Sequence, residues 1–224
     1  MAKHKVDTRL QAELNTFWTR IPAEHQWHER NARQLRNNKK TTLSSNRRDT
    51  HVRGQQQFGG VAITSIGACI HRDLTTGEDP SGLARWSWHK YQGKGGICLR
   101  VVSAYRPNGP GNGGPYTVYA QHLRHHLALD KDDIGDPRHI FLLDLEKQLT
   151  ELIQAGDQIV VGIDANNDLR DGVVDSMFQR VGMHDAIRNK YPDWDTAATC
   201  DSSPDGKPID GLYTTVGLDI AQGG

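Results

Sequence analysis

Gln158-Ile159-Val160-Val161-Gly162-Ile163-Asp164-Ala165-Asn166 is the stretch on which the fold turns. Its near-continuous apolar run reads as a strand buried in a sheet. The run delivers an aspartate and, two positions later, an asparagine. In extended geometry both side chains point to one side of the strand end. Before it, residues 137–155 read as a helix. Ile140, Leu143, Leu145, Leu149, Leu152 and Ile153 mark one broad face, and Gly156 follows as a C-terminal cap.

Working outward, residues 97–104 form a second mostly apolar run, read as a central strand. Gly93-Lys94-Gly95-Gly96 before it reads as a hairpin-like turn, and residues 85–91 as the strand on its other side, with Trp86 and Trp88 alternating. Residues 59–66 read as another strand and 76–82 as a Gly/Asp/Pro turn region. Beyond the central strand come a Gly/Pro/Asn loop at 107–115 and a helix at 117–127. A short helix at 173–181, a polar loop at 191–207 and a last strand at 209–214 complete the body. At the N-terminus, Leu10, Leu14, Phe17, Trp18 and Ile21 recur at helical spacing, with Asp7 or Thr8 as cap and Pro22 just past the end. Residues 24–57 are polar, with almost no core-forming side chains, and read as a long loop or mobile arm. No internal repeat is present. Strands and helices interleave, with hairpin-linked strands first, so the expected class is α+β, a mixed α/β sandwich.

The chain has 224 residues, one ordinary domain or at most two small ones. Only 36% of residues are apolar, and the mean hydropathy is −0.66. The longest weakly polar run, 59–70, is too short and too mixed to cross a bilayer, so no membrane partner is expected. The first residues lack the apolar core of a secretory signal. Cys69, Cys98 and Cys200 form no close pair and leave one over, which points to a reduced, intracellular setting. No C-x-x-C pair is present, and a zinc site is not expected. The net charge is zero, but residues 1–57 carry 12 basic and 5 acidic residues, leaving 15 and 22 for the rest. A basic arm on an acidic body suits an anionic partner, or it is a soluble lead-in.

Three strand ends carry the candidate chemistry. In Ser103-Ala104-Tyr105-Arg106-Pro107, Tyr105 can donate a hydrogen bond and Arg106 can clamp an anion such as phosphate. The alternative is a tyrosine packed over the sheet end beside a solvated arginine. In Gly162-Ile163-Asp164-Ala165-Asn166, one side chain can orient or deprotonate a water while the other holds a substrate oxygen. A helix cap or Asx-turn would use the same residues. A calcium loop is excluded, because Asp164, Asn166, Asp168 and Asp171 lack the required glycine and the closing glutamate. In Ile209-Asp210-Gly211-Leu212-Tyr213-Thr214, an acid inside an apolar strand needs a partner, unless the strand is an edge facing water.

Taken in order, these three motifs resemble the endonuclease/exonuclease/phosphatase superfamily, the DNase I-like group that includes AP endonucleases and the endonucleases of LINE-type retrotransposons. The resemblance spans roughly residues 10–215, and the Gly59-Gly60-Val61-Ala62 strand and the stretch from Gly82 through Trp86 to Trp88 look like the retroelement branch. It implies a four-layer α/β sandwich, with residues 1–57 as a basic helix and arm and 58–224 as the nuclease domain. It implies that Asp164 and Asn166 position the attacking water and hold the scissile phosphate. Tyr105 would stand beside that phosphate, and Asp210 would orient a catalytic histidine. Glu13 best matches the metal-binding glutamate, although periodicity places it on the polar face of the first helix. The cofactor implied is Mg²⁺ or Mn²⁺. The partner is nucleic acid, with DNA first, and no protein partner is inferable. A nuclear location follows only by analogy.

The sequence departs from that pattern at both ends. Only twelve residues precede Glu13, too few for the family's asparagine-bearing first strand. The Ser-Asp-His motif expected after the Asp210 strand is absent, and none of the 11 histidines lies after Asp210. The expectation is therefore an incomplete sheet and weak or absent hydrolysis, unless His184 or His89 comes near Asp210. Three functions remain open: a nuclease, a phosphatase acting on a phospholipid or inositol phosphate, and an inactive nucleic-acid-binding fragment. Trp86, Trp88, Arg85 and Arg106 suit nucleic acid at least as well as an inositol phosphate.

Overall fold

A computed structural model describes the backbone of residues 39–44 and residues 59–111, 114–129, 135–193, 197–200 and 206–218. The expected first helix, Glu13 and the last six residues lie outside the described residues. The elements are β1 (Lys39–Ser44), β2 (Val61–Ile66), β3 (Asp73–Glu78), β4 (Trp86–Gln92), β5 (Cys98–Tyr105), α1 (Val118–Leu129), α2 (Pro137–Gln154), β6 (Gln158–Asp164), α3 (Val173–Arg180), β7 (Met183–Asp185), α4 (Ala186–Lys190) and β8 (Asp210–Thr215). Strands β3-β4-β5-β6-β8-β7 form one six-stranded sheet, and β1 and β2 form a second. Only β5 and β6 run parallel in the large sheet, joined by a crossover through α1 and α2. This is the expected mixed α/β class, with the two apolar runs side by side at its centre.

Alternation assigns the two faces of the large sheet. Trp86, Val102, Ala104, Ile159, Val161, Ile163 and Tyr213 point to the helices and form one core with Phe141, Leu145 and Leu149 of α2 and Met177 and Phe178 of α3. The other face meets β1 and β2 over β4 and β5. Among the described residues, three of the four expected layers are present: helices, large sheet and small sheet.

α2 begins at Asp136, whose side chain accepts from the Arg138 amide, with Pro137 in the first turn. Its buried residues are Pro137, Phe141, Leu142, Leu145, Leu149 and Leu152. Leu143, expected on that face, is half exposed, because a 3.6-residue period through 141, 145, 149 and 152 turns it outward. Gly156 adopts φ +81 and closes the helix as expected.

The structure corrects three sequence expectations. The polar stretch 24–57 is not irregular throughout, since Lys39–Ser44 pairs with β2. Residues 76–78, read as a turn, are the end of edge strand β3. Its turn-like glycine is there for packing: a Cβ at Gly77 would lie 2.2 Å from the Trp88 ring of its register partner. β7 and α4 were not anticipated, being only three and five residues long. Asp185 caps α4 by accepting from the amides of Ile187 and Arg188.

His122 on α1 is buried, and neither ring nitrogen has a hydrogen-bond partner among the described residues. Burial, then the charge of Arg85, pushes its pKa down to about 3 against an opposing pull from Asp79, with His126 and His125 adding to the depression. The unfolded chain takes up this proton near pH 6.5, and the folded chain does not until about pH 3. Stability from this residue is therefore intact above about pH 6.5 and falls by about 1.4 kcal/mol per unit below it. His122→Leu should shrink the loss of unfolding free energy between pH 7 and pH 4 by about 3 kcal/mol. Urea titrations at the two pH values measure it, and an unchanged difference would show that His122 is not the group responsible.

Candidate active site at the ends of three central strands

Register brings three of the sequence-predicted residues into one row. Tyr105 on β5 is the partner of Asp164 on β6, and Asp164 is the partner of Asp210 on β8. Register partners share a face, so the phenol and both carboxylates stand on the side of the sheet away from the helices. The carboxylates face each other with Cβ atoms about 5 Å apart, an arrangement that like charges oppose.

The backbone around the row is pinned. The Tyr105 amide donates to the Arg85 carbonyl at 2.8 Å, the Arg106 amide to the Asp164 carbonyl at 2.9 Å, and the Ala165 amide to the Ile209 carbonyl at 2.8 Å. Thr199 Oγ1 accepts from the Ile209 and Asp210 amides at 2.9 and 3.1 Å. Thr199 belongs to the expected polar loop, which bridges back through Cys200 and Lys207. Asp164 is buried, and its Oδ1 accepts from the Asn166 amide at 3.1 Å, so the Asx-turn alternative is also realised.

Asn166 takes φ +45, in the left-handed region, just past the end of β6. Its Nδ2 donates to the Arg106 carbonyl at 2.6 Å, and its side chain is also hydrogen-bonded to Tyr105. Burial, followed by the Asp164 charge, raises the Tyr105 pKa, partly offset by that hydrogen bond. The phenol thus stays protonated at neutral pH and remains a donor.

Arg106 is not a solvated side chain. It is buried on the helix side, and its Nε donates to the Arg138 carbonyl at 3.2 Å. Burial, then the neighbouring Arg138 charge, lowers its pKa to about 10, with Asp136 opposing. The aromatic and basic residues expected beside nucleic acid also turn inward. Trp86 lies in the core, Trp88 packs under the Arg100 guanidinium 3.9 Å from its centroid, and Arg85 sits in a buried ion pair.

No histidine among the described residues completes the row. His184 is the partner of Thr214, four residues from Asp210 along β8, or about 13 Å. His89 is the partner of Val101, four residues from Tyr105, and lies on β4, three strands from Asp210 on β8. It is bonded instead to Ser65 and Asp73. The two carboxylates and the Asn166 amide are hard oxygen donors of the kind Mg²⁺ takes, often with only one or two carboxylates. No cluster of three or more Asp, Glu, His or Cys residues suited to a metal occurs among the described residues. Sequence reasoning missed Arg138, whose Nη2 donates to the Asn166 carbonyl at 2.9 Å and to Asn167 Oδ1 at 3.1 Å. Its position in the first turn of an amphipathic helix looks like ordinary solvated charge, and only the crossover brings it under the β6 end.

No protein-family model and no curated protein sequence matches the chain. Solved structures do. The chain superimposes on a 3'-5' exonuclease (NExo) from Neisseria meningitidis with a TM-score of 0.52 at 15% identity, covering 90% of this chain and 84% of that one. It matches a 3' phosphatase NExo variant from Neisseria, bound to a product DNA hairpin, with a TM-score of 0.53 at 15% identity, covering 92% and 83%. It matches the catalytic domain of Xenopus laevis APE2 with a TM-score of 0.51 at 13% identity, covering 79% and 66%, so it spans about two thirds of that domain's length. At such identities the likeness is one of fold, and the fold is the DNase I-like one that the three motifs resemble.

Proposed function

We propose that the chain is a metal-dependent phosphodiesterase acting on nucleic acid, with DNA as first candidate and endonucleolytic cleavage as its mode. The row of Tyr105, Asp164 and Asp210, with Asn166 at its edge, carries this reading. The fold neighbours support it: one is a 3'-5' exonuclease, and another is bound to a DNA hairpin.

Each residue has a role that its surroundings allow. Asp164, at the end of β6, orients a water for attack on phosphorus. The Tyr105 hydroxyl and the Asn166 amide are preorganised donors for the phosphate oxygens, where negative charge builds up. Asp210 faces Asp164 and holds the second negative position of the row. A bound Mg²⁺ or Mn²⁺ supplies positive charge to offset that of the phosphate, held by these carboxylates with Glu13 as the further ligand the family resemblance implies. The basic residues of 1–57 add sequence-independent attraction to phosphate, which weakens with salt. With no histidine among the described residues at the Asp210 row, turnover is slow, because members of such a unit act together.

The test is nicking of supercoiled plasmid by the purified chain in Mg²⁺ and in EDTA. An inositol phosphate and a phospholipid serve as competing substrates. Slow nicking that EDTA abolishes is the expected result. Release of phosphate from the small substrates without nicking would replace the nuclease reading with the phosphatase one. Salt-sensitive DNA binding with no hydrolysis of any substrate would leave a binding fragment.

A further inference from the structure

The turn that carries Asn166 is held by more than its own strand. A non-glycine residue at φ +45 costs backbone energy and persists only where its surroundings fix it. Here the fixing groups form a closed circuit. Asp164 Oδ1 takes the Asn166 amide, the Arg106 carbonyl takes Asn166 Nδ2, and Arg106 Nε reaches the Arg138 carbonyl. Arg138 Nη2 then returns to the Asn166 carbonyl and Asn167 Oδ1. The circuit joins the ends of β5 and β6 to the first turn of α2. That turn is itself rigid, because Asp136 caps it at the Arg138 amide and Pro137 is buried in it. The Gly109 backbone lies close to the same guanidinium, since a Cβ there would be 3.3 Å from Arg138 Nη1.

Arg138 makes no ion pair among the described residues. Both contacts with the turn come from its Nη2, which donates to one carbonyl and one side-chain amide oxygen, while its Nε is buried without a hydrogen-bond partner among the described residues. A purely solvated helix residue would not be placed so, and a lysine, whose Nζ ends one bond short of the Nη2 position, does not reach both acceptors from the same backbone site.

We propose that Arg138 is the positioning residue for Asn166, clamping the Asn166–Asn167 turn so that the Asn166 amide meets a phosphate oxygen of the nucleic-acid phosphodiester. The inference rests on the function proposed above for the role of Asn166, and on the hydrogen-bond circuit alone for the clamp. Arg138 itself touches no reacting atom.

The experiment compares the wild-type chain with Arg138→Lys, Asn166→Ala and the double variant. Amide hydrogen exchange over residues 164–168 reads the clamp without any substrate. In Arg138→Lys, exchange there should rise at least tenfold while the thermal midpoint stays within about 2 °C. Plasmid nicking should fall about tenfold in kcat with KM nearly unchanged, as a slightly misplaced group would cause. In the Asn166→Ala background, Arg138→Lys should cost nothing further, whereas a merely structural role would give losses that multiply. Unchanged exchange at 164–168, or multiplying losses, overturns the proposal. Faster exchange in the lysine variant of a chain that hydrolyses nothing would establish the clamp and remove the phosphodiesterase reading instead.

Discussion

Asp164→Asn should lower Mg²⁺-dependent nicking by about three orders of magnitude or more and leave the fold as stable as before. The substitution keeps the size and planar shape of the side chain. Asn Oδ1 still accepts from the Asn166 amide, the contact that sets the turn at the end of β6. What disappears is the negative charge facing Asp210 across the strand pair. Losing one of two opposed acids relieves repulsion, so the thermal midpoint should hold or rise slightly. The same loss removes the acceptor that orients the attacking water and half the negative charge available to a cation. Single-turnover cleavage of a fluorescent duplex, run beside a thermal melt, measures both quantities. A melt that holds while cleavage vanishes assigns Asp164 to chemistry. Undiminished cleavage would mean that hydrolysis takes place elsewhere on the molecule.

Much of this arrangement was legible before any coordinates. The two apolar runs read as strands buried in a sheet, and they lie side by side. Tyr105, Asp164 and Asp210 each ended or opened a strand, so a shared register put them in line. Edges were harder to read, because an edge strand buries little and its composition imitates a turn. β3 carries Gly77 and two threonines, and β7 has three residues. Side-chain direction was harder still. Trp86 and Trp88 alternate as expected of strand residues, but alternation alone does not say which face is core. Both face the helices, which removes them as stacking platforms for bases. Arg106 and Arg138 show the same limit. Arg106 follows a strand end and reads as an anion clamp, yet the chain turns it beneath the sheet toward α2. Arg138 is 26 residues from Asp164 in sequence, and only the packing of α2 brings it under the Asn166 turn.

Asp79→Ala should be the most damaging substitution for the fold, at about 3–5 kcal/mol, because it strands a buried cation. Arg85 is 2% exposed, and its Nε and Nη2 donate to the two Asp79 oxygens at 2.7 and 3.0 Å. Burial alone would raise the Asp79 pKa. The hydrogen bonds and charge of Arg85, with help from Ser81, pull it below the ordinary value, so the pair is ionised at neutral pH. Asp79 also accepts from the Ser81 amide and hydroxyl and from the Arg85 amide, so alanine deletes the hub of the loop between β3 and β4. Asp144, on α2, holds only Arg85 Nη1 and is half exposed, too little to compensate. Melts of Asp79→Ala, Asp79→Asn and the pair Asp79→Ala with Arg85→Met separate charge from packing. The single alanine should fall by about 10 °C, and the pair should fall less, since no buried guanidinium is left. Equal losses in the two would show that the loop contacts, not the stranded charge, carry the effect. The consequence reaches the candidate site, because the Arg85 carbonyl receives the Tyr105 amide. Asp79→Asn, which keeps one of the two oxygen acceptors, loses the charge and turns an NH2 toward an Arg85 donor, should be less stable than wild type and cut more slowly as Tyr105 loosens. The ion pair beneath β4 thereby sets how firmly the phenol is presented at the end of β5.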